Sequence, residues 1–255
     1  MSTTPNLLAV SEYFYSLQGE GQTMGVPAIF LRLSGCNLIC GGKGAEKDGQ
    51  LHDGASWICD TMEVWMKGES LPFAQLLQRL DDELQFSQRL SQGVHLVITG
   101  GEPLLQDKRI AAFLAFLEAE RQGLRPIIEV ETNGCFLPSA PLLERVSYWN
   151  CSPKLQNSGM PAKKRIVPKA LKGLAQEAGT IFKFVIAQAS DFEEIQSDFL
   201  DKGLIKKEQL VLMPAADSLA ALLERNKMVA EICIREQIRM CSRLHVEIWD
   251  QLTGV

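Results

Sequence analysis

Apolar and polar positions alternate between two periods along this chain. Short apolar runs predict strands at Ala28–Leu33, His95–Thr99, Ile127–Glu131, Ser147–Ser152, Ile181–Ile186 and Leu210–Met213, with a short final run at Leu244–Ile248. Between them, apolar residues recur at helical spacing, most clearly over Phe73–Leu90, Ile110–Glu120, Asp191–Leu200 and Ser218–Ile238. Strands alternating with helices of this length build βαβ units, and hence an α/β fold with a parallel sheet. About six such strands are too few for a closed eight-stranded barrel but suit an open, partial β/α barrel. Ligands of such sheets sit beyond the carboxyl ends of the strands, and the reactive residue types here cluster at those ends. Residues 41–58 (GGKGAEKDGQLHDGASWI) lack any apolar period and read as a polar surface loop. No linker, internal repeat or low-complexity tract divides the chain. One domain over 1–255, with a loop insertion at 41–58, is therefore expected.

Composition narrows the functional classes. The 255 residues can bury a full core, and a net charge of −5 gives no electrostatic case for nucleic-acid binding. No stretch reaches 18 consecutive apolar residues, which predicts no membrane span. The start, MSTTPNLLAV, lacks a basic segment followed by a long apolar one, so no signal peptide is expected and the chain reads as cytoplasmic. Seven cysteines, an odd number, then favour metal binding or reactivity over disulfides. Cys135, Cys151, Cys233 and Cys241 lie in or beside apolar patterns and read as ordinary buried thiols.

The remaining three, Cys36, Cys40 and Cys59, carry the chemistry. Cys36 opens directly after the run Ala28–Leu33, where a strand gives way to a loop. Three thiolates can hold three irons of a four-iron cluster and leave the fourth open to a ligand. A zinc site built on the same three, with His52 as a further candidate, is the alternative. A second motif, Val97-Ile-Thr-Gly-Gly-Glu-Pro103, ends a strand on a glycine pair that lets backbone approach a ligand. Its Glu102 offers a carboxylate to a charged amine, unless the segment is simply a turn. Glu129–Gly134 and Cys151–Lys154 end two further strands with polar groups that suit a nucleoside or a carboxylate, or merely solvent. Near the start, Tyr13–Gln22 places two glycines around Glu20; no Lys-Ser/Thr follows, so it is no phosphate cradle.

The cysteine set resembles the radical S-adenosylmethionine (SAM) superfamily, in which three cysteines bind a [4Fe–4S] cluster and SAM chelates its open iron. The family spacing is three residues and then two; here the second gap is eighteen, Gly41 through Ile58. The flanks Gly35-Cys-Asn-Leu38 and Cys59-Asp-Thr61 look like two halves of one motif separated by an insertion. Taken in order, Leu17-Gln-Gly-Glu-Gly21, Phe30–Cys36, Cys59-Asp-Thr61, Thr99–Pro103, Glu131-Thr-Asn-Gly134 and Ser152-Pro-Lys154 resemble the 7-carboxy-7-deazaguanine synthase family. The ending, Leu244–Trp249 and Gly254-Val255, is similar as well.

The resemblance implies the following roles. Leu17, Gln18, Gly19 and Glu20 would hold a pterin ring, with Arg32 on its carboxylate and Thr99, His245 and Val255 completing the substrate site. Ile58, Asp60, Gly101, Glu102, Asn133, Ser152, Pro153 and Lys154 would surround SAM. Cys36, Cys40 and Cys59 would hold the [4Fe–4S] cluster, and Thr61 a Mg²⁺. No side chain would be catalytic in its own right, because the SAM-derived radical does that work. The implied reaction converts 6-carboxy-5,6,7,8-tetrahydropterin to 7-carboxy-7-deazaguanine with loss of ammonia, for 7-deazapurine (queuosine-type) biosynthesis. It implies a homodimer and a flavodoxin or ferredoxin as reductant. Arg32 could instead be a salt-bridged strand residue, and Thr61 a helix N-cap. A radical SAM activase that installs a glycyl radical, or a non-catalytic zinc protein, are the alternative readings.

Overall fold

The structure is a computed structural model that describes residues 6–42, 51, 54–252 and 254. Nine strands form one sheet: β1 (Leu7–Leu17), β2 (Pro27–Leu33), β3 (Glu69–Pro72), β4 (His95–Gly100), β5 (Ile128–Thr132), β6 (Tyr148–Cys151), β7 (Thr180–Ile186), β8 (Leu210–Pro214) and β9 (Arg239–Met240). Their order is β3-β1-β2-β4-β5-β6-β7-β8-β9, so the sheet is open. From β2 to β9 every pairing is parallel, whereas β1 runs antiparallel to both β2 and β3. The expected partial β/α barrel is the fold observed.

Strand periodicity sorts the two faces of this sheet. Ile29, Leu31, Leu33, Leu96, Ile98, Ile128, Val130, Trp149, Phe182, Phe184, Leu210 and Leu212 join the main core beneath the helices. The intervening residues point to the other face, because side chains alternate across a strand. That face carries Arg32 on β2, Thr99 on β4, Glu129 and Glu131 on β5, Asn150 on β6 and Lys183 on β7. The register sets Arg32 beside Thr99 and Glu131 beside Asn150. A row of polar groups thus follows from alternation alone, once the outer face is apolar.

The helices follow the predicted pattern with one break and one reversal. The first long one, α2, is preceded by a single turn, α1 (Met62–Trp65), after the third cysteine. In α2 (Phe73–Leu84), Phe73, Leu76, Leu77 and Leu80 are buried along one stripe. Gln85 adopts φ 52° and ends it before α3 (Phe86–Ser91), so the predicted Phe73–Leu90 helix is two. The following helices, α4 (Asp107–Glu120), α5 (Ala140–Leu143), α6 (Ala162–Arg165), α7 (Pro168–Leu174), α8 (Asp191–Ile195) and α9 (Leu219–Glu236), complete the cover. The final run, read as a strand at Leu244–Ile248, is instead α10 (Leu244–Trp249). Arg239–Met240 already occupies the place beside β8, and Val246 packs on Ala216 and Leu222 instead of entering a sheet. Six residues are too few for periodicity to separate the two states.

Candidate active site

Arg32, Thr99, Glu131, Asn150 and Lys183 of this row form the floor of a cavity of about 430 Å³ beyond the carboxyl ends of the parallel strands, with Glu129 beneath it. Glu129 is fully buried and gathers donors from three elements. Gln18 Nε2 donates to it at 2.6 Å and Thr23 Oγ1 at 2.5 Å, and Asn150 Nδ2 adds a third bond. Glu131 accepts from Thr99 Oγ1 at 2.6 Å and from Gln18 Nε2 at 3.2 Å. A carboxylate only accepts, so the Gln18 amide must turn its NH₂ to the two glutamates. Its oxygen accepts the Glu20 N–H at 3.2 Å. Burial raises the Glu131 carboxyl, with Lys183 opposing.

Beside this floor stands a charge cluster assembled from both ends of the chain. Glu20 bonds Lys183 Nζ, and Arg243 Nε donates to it at 2.8 Å. Burial by itself would raise the Glu20 carboxyl, but Lys183 and Arg243 hold it well below the usual carboxylate range. Lys183 answers in kind: burial opposes its charge, yet Glu20 and Glu131 push its pKa up. Arg243 also reaches the backbone oxygen of Ala216 and, at 2.5 Å, the Asp60 carboxylate next to Cys59. His245 closes over Gly19, where a Cβ would overlap the imidazole ring; only glycine permits that approach. Burial lowers the His245 pKa, so the ring favours its neutral form.

Cys36, Cys40 and Cys59 border another part of the same cavity. They pack with Leu38, Trp57, Met160, Val167 and a fourth thiol, Cys135. Burial pushes the Cys36 thiol up to about 11 and Cys40 up to about 12, so metal ligation rather than ambient pH would ionise them. Among the described residues, no three His, Cys, Asp or Glu side chains converge on a single ion position. A four-iron cluster takes each thiolate on a separate iron, and three thiols at a cavity wall suit that demand. His52, the further ligand of the zinc alternative, lies outside the described residues. All seven cysteines are free thiols, and the four read as buried are buried. Lys154 is the cation at this end, donating to Ser152 Oγ at 3.1 Å with its ammonium 5.8 Å from the centre of the Trp57 ring. Thr61 precedes α1 but makes no side-chain capping bond; its hydroxyl lies 3.5 Å from Cys59 Sγ and faces the cavity.

Of the residues singled out from sequence, Leu17, Gln18, Gly19, Glu20, Arg32, Thr99 and His245 line the cavity. So do Ile58, Asp60, Gly101, Asn133, Ser152, Lys154, Thr61 and the three cysteines. Glu102 and Pro153 do not reach its wall. Glu102 is fully buried, and its oxygens accept Leu104 N–H (3.0 Å), Thr132 Oγ1 (2.8 Å) and Asn133 N–H (2.7 Å). It therefore ties two strand-end loops together. Arg32 pairs with Glu12 at 2.8 Å while lying over the Phe14 ring, so its guanidinium is both salt-bridged and at the cavity. Val255 lies outside the described residues. Lys183, Arg243 and Asn150 were not singled out, and Glu129 was read only as the start of a strand-end motif. Lys183 had a signal, a lone charge in the apolar strand Thr180–Ile186; Arg243 had none.

No family model matches the chain. The 7-carboxy-7-deazaguanine synthase of Pyrobaculum aerophilum is 31% identical over 256 residues, covering all of both chains. That of Halobacterium salinarum is 32% identical over 263 residues, covering 95% of this chain and 91% of its own. That of Rhodopirellula baltica is 30% identical over 260 residues, covering 97% and 88%. Among solved structures, the crystal structure of QueE from Escherichia coli matches with a TM-score of 0.60 and 24% identity, covering 92% of this chain and 93% of that one.

Proposed function

The chain belongs to the 7-carboxy-7-deazaguanine synthase family, and from that membership we propose how its residues share the work. The reaction is the radical SAM ring contraction of 6-carboxy-5,6,7,8-tetrahydropterin to 7-carboxy-7-deazaguanine, with loss of ammonia, in 7-deazapurine biosynthesis. When bound, a [4Fe–4S] cluster and SAM would supply the radical chemistry. Everything else falls to the polypeptide: holding atoms in place and excluding water.

Cys36, Cys40 and Cys59 would hold the cluster. Lys154 and Ser152 would take the SAM carboxylate, with Ile58, Asp60, Gly101 and Asn133 around the rest. Glu102 serves that end indirectly, by fixing the Asn133 backbone. At the other end, Gln18, Glu20 and the Leu17–Gly19 backbone would face the pterin ring, next to Glu131 and Thr99. Arg32 keeps donors beyond the one given to Glu12, and these suit the substrate carboxylate. Thr61 would lend its hydroxyl to a Mg²⁺ completed by water and substrate, ligation that suits a hard ion. His245 and the segment Asp250–Leu252 line the cavity and would help to exclude water.

A flavodoxin or ferredoxin would deliver the electron, to a cytoplasmic homodimer whose residues 41–58 are an insertion in one domain. Seven free thiols accord with a reducing compartment, and no described helix is long and apolar enough to cross a membrane. Exposed Lys163, Lys164, Lys169 and Lys172 lie on α6 and α7, and the Lys164 carbonyl accepts from Cys135 Sγ at 3.4 Å. These exposed charges would suit an acidic donor protein. The observation that carries the whole reading is that three cysteines and the carboxylate floor border one cavity. The test is anaerobic: reconstitute the cluster, add reductant, SAM, Mg²⁺ and the tetrahydropterin, and assay for the deazaguanine. SAM cleavage without that product would remove the substrate assignment.

A further inference from the structure

The stem that carries Cys59 is pinned from a direction the cysteine motif does not reveal. Eighteen residues separate Cys40 from Cys59, and drawing such ends together works against chain entropy. The base is closed where Cys59 N–H donates to Cys40 O at 3.2 Å. Gly41, at φ +81°, passes so near the returning stem that a Cβ would stand 2.7 Å from Ile58 Cα. These contacts join the two stems, and Gly41 N–H ties the first of them to Ser158 O at 3.0 Å, but by themselves they leave the returning stem freedom above its base.

A second set removes that freedom. Ser56 N–H donates to Asn157 O at 2.9 Å, and Trp57 Nε1 donates to Asn157 Oδ1 at 2.9 Å. Asn157 is itself buried; its Nδ2 donates to Val185 O on β7 at 3.0 Å and to Asp191 Oδ2 at 2.8 Å. The Asp191 carboxylate also accepts the N–H groups of Ala187 (2.7 Å) and Gln188 (3.1 Å). A line of hydrogen bonds thus runs from the end of β7 to an indole two residues before the third cysteine. An aromatic ring that merely filled space would need no such directional anchor.

We propose that Trp57 is a positioning residue, staked through Asn157 to β7, which fixes Cys59 across the insertion so that three separated cysteines act as one ligand set. The inference rests on the cluster assignment above. W57F keeps the ring and removes only the N–H. In metal-free protein, Cys59 of W57F is expected to be alkylated by iodoacetamide roughly tenfold faster than in wild type, the shift that loss of one hydrogen bond produces. Cys36 serves as the internal control, with its rate unchanged. After anaerobic reconstitution, iron retained per chain against a chelator falls severalfold, and the electron paramagnetic resonance signal of the reduced cluster broadens. W57F equal to wild type in both alkylation and iron retention would overturn the proposal. N157A also frees Val185 and Asp191, so its effect is expected to be larger; W57F leaves those bonds intact and decides the matter even if N157A does not fold. Wild-type protein that takes up no cluster would refute the cluster assignment alone, because the alkylation arm judges Trp57 without metal.

Discussion

The two ends of the cavity are held by different physics. At the floor, Glu20, Glu129 and Glu131 already have their donors and cations, supplied by strand ends and by both termini of the chain. At the cysteine end the ligands sit among apolar neighbours, and Cys36 and Cys40 are kept protonated by burial. Such groups become charged only when a metal arrives, so no electrostatic attraction can arrange them beforehand. Backbone and loop contacts must do it. The comparison teaches that one end is organised by satisfied charge and the other by geometry imposed from outside.

This contrast can be broken most forcefully at Cys59. Cys59→Ala is expected to abolish cluster retention and product formation. The unfolding free energy of the metal-free protein should change by less than about 1 kcal/mol, as a half-buried thiol supports no neighbours electrostatically. Anaerobic iron and sulfide analysis beside urea denaturation checks both halves.

At the floor the pattern reverses. Lys183→Met strips one cation from Glu20 and the nearby positive charge from Glu131. Breaking a buried ion pair on one side costs about 3–5 kcal/mol, and the lower figure applies because Arg243 still faces Glu20. Iron uptake should remain at the wild-type level. A Lys183→Met protein that also loses its cluster would erase the distinction between the ends.

Acid sharpens the same comparison. The Glu20 carboxyl is depressed in the folded state, so its stabilising contribution is complete above the unfolded value near 4.5 and is lost as pH falls through the folded one. Glu131 has the opposite sign: its raised pKa opposes folding at neutral pH, and that penalty is relieved as pH falls toward 4.5. Thermal melts of wild type and Glu20→Gln from pH 7 to pH 3 should show a steeper acid loss in wild type. Parallel curves would mean that Glu20 is not held by its cations. The smallest effect is expected at the exposed lysines: Lys163→Glu with Lys164→Glu should slow cluster reduction by an acidic carrier protein about threefold to tenfold at low salt. Reduction by dithionite should not change.

Much of this was legible in the residues. Strand and helix periods placed the parallel sheet, and glycines or polar groups after the apolar runs marked the strand ends where the cavity opens. Lys183, one charge among the apolar residues of Thr180–Ile186, carried a signal of a face turned toward something polar, but the motif reading passed over it. Glu102 was legible as a carboxylate but not as a buried one, because the donors that enclose it come from Leu104, Thr132 and Asn133. The run Leu244–Trp249 was misread because a short apolar segment takes its conformation from whatever space its neighbours leave.

Local physics, then, is what the sequence determined by itself: backbone periodicity, turn chemistry and the presence of three thiols with an uneven gap. Which distant groups meet was decided only by tertiary structure. Arg243 bridges Glu20 and Asp60 across 223 and 183 positions of chain, and Asn157 reaches Trp57 across 100. Contacts of that span depend on strand order, register and the path of returning loops, none of which leaves a local period in the residues that make them.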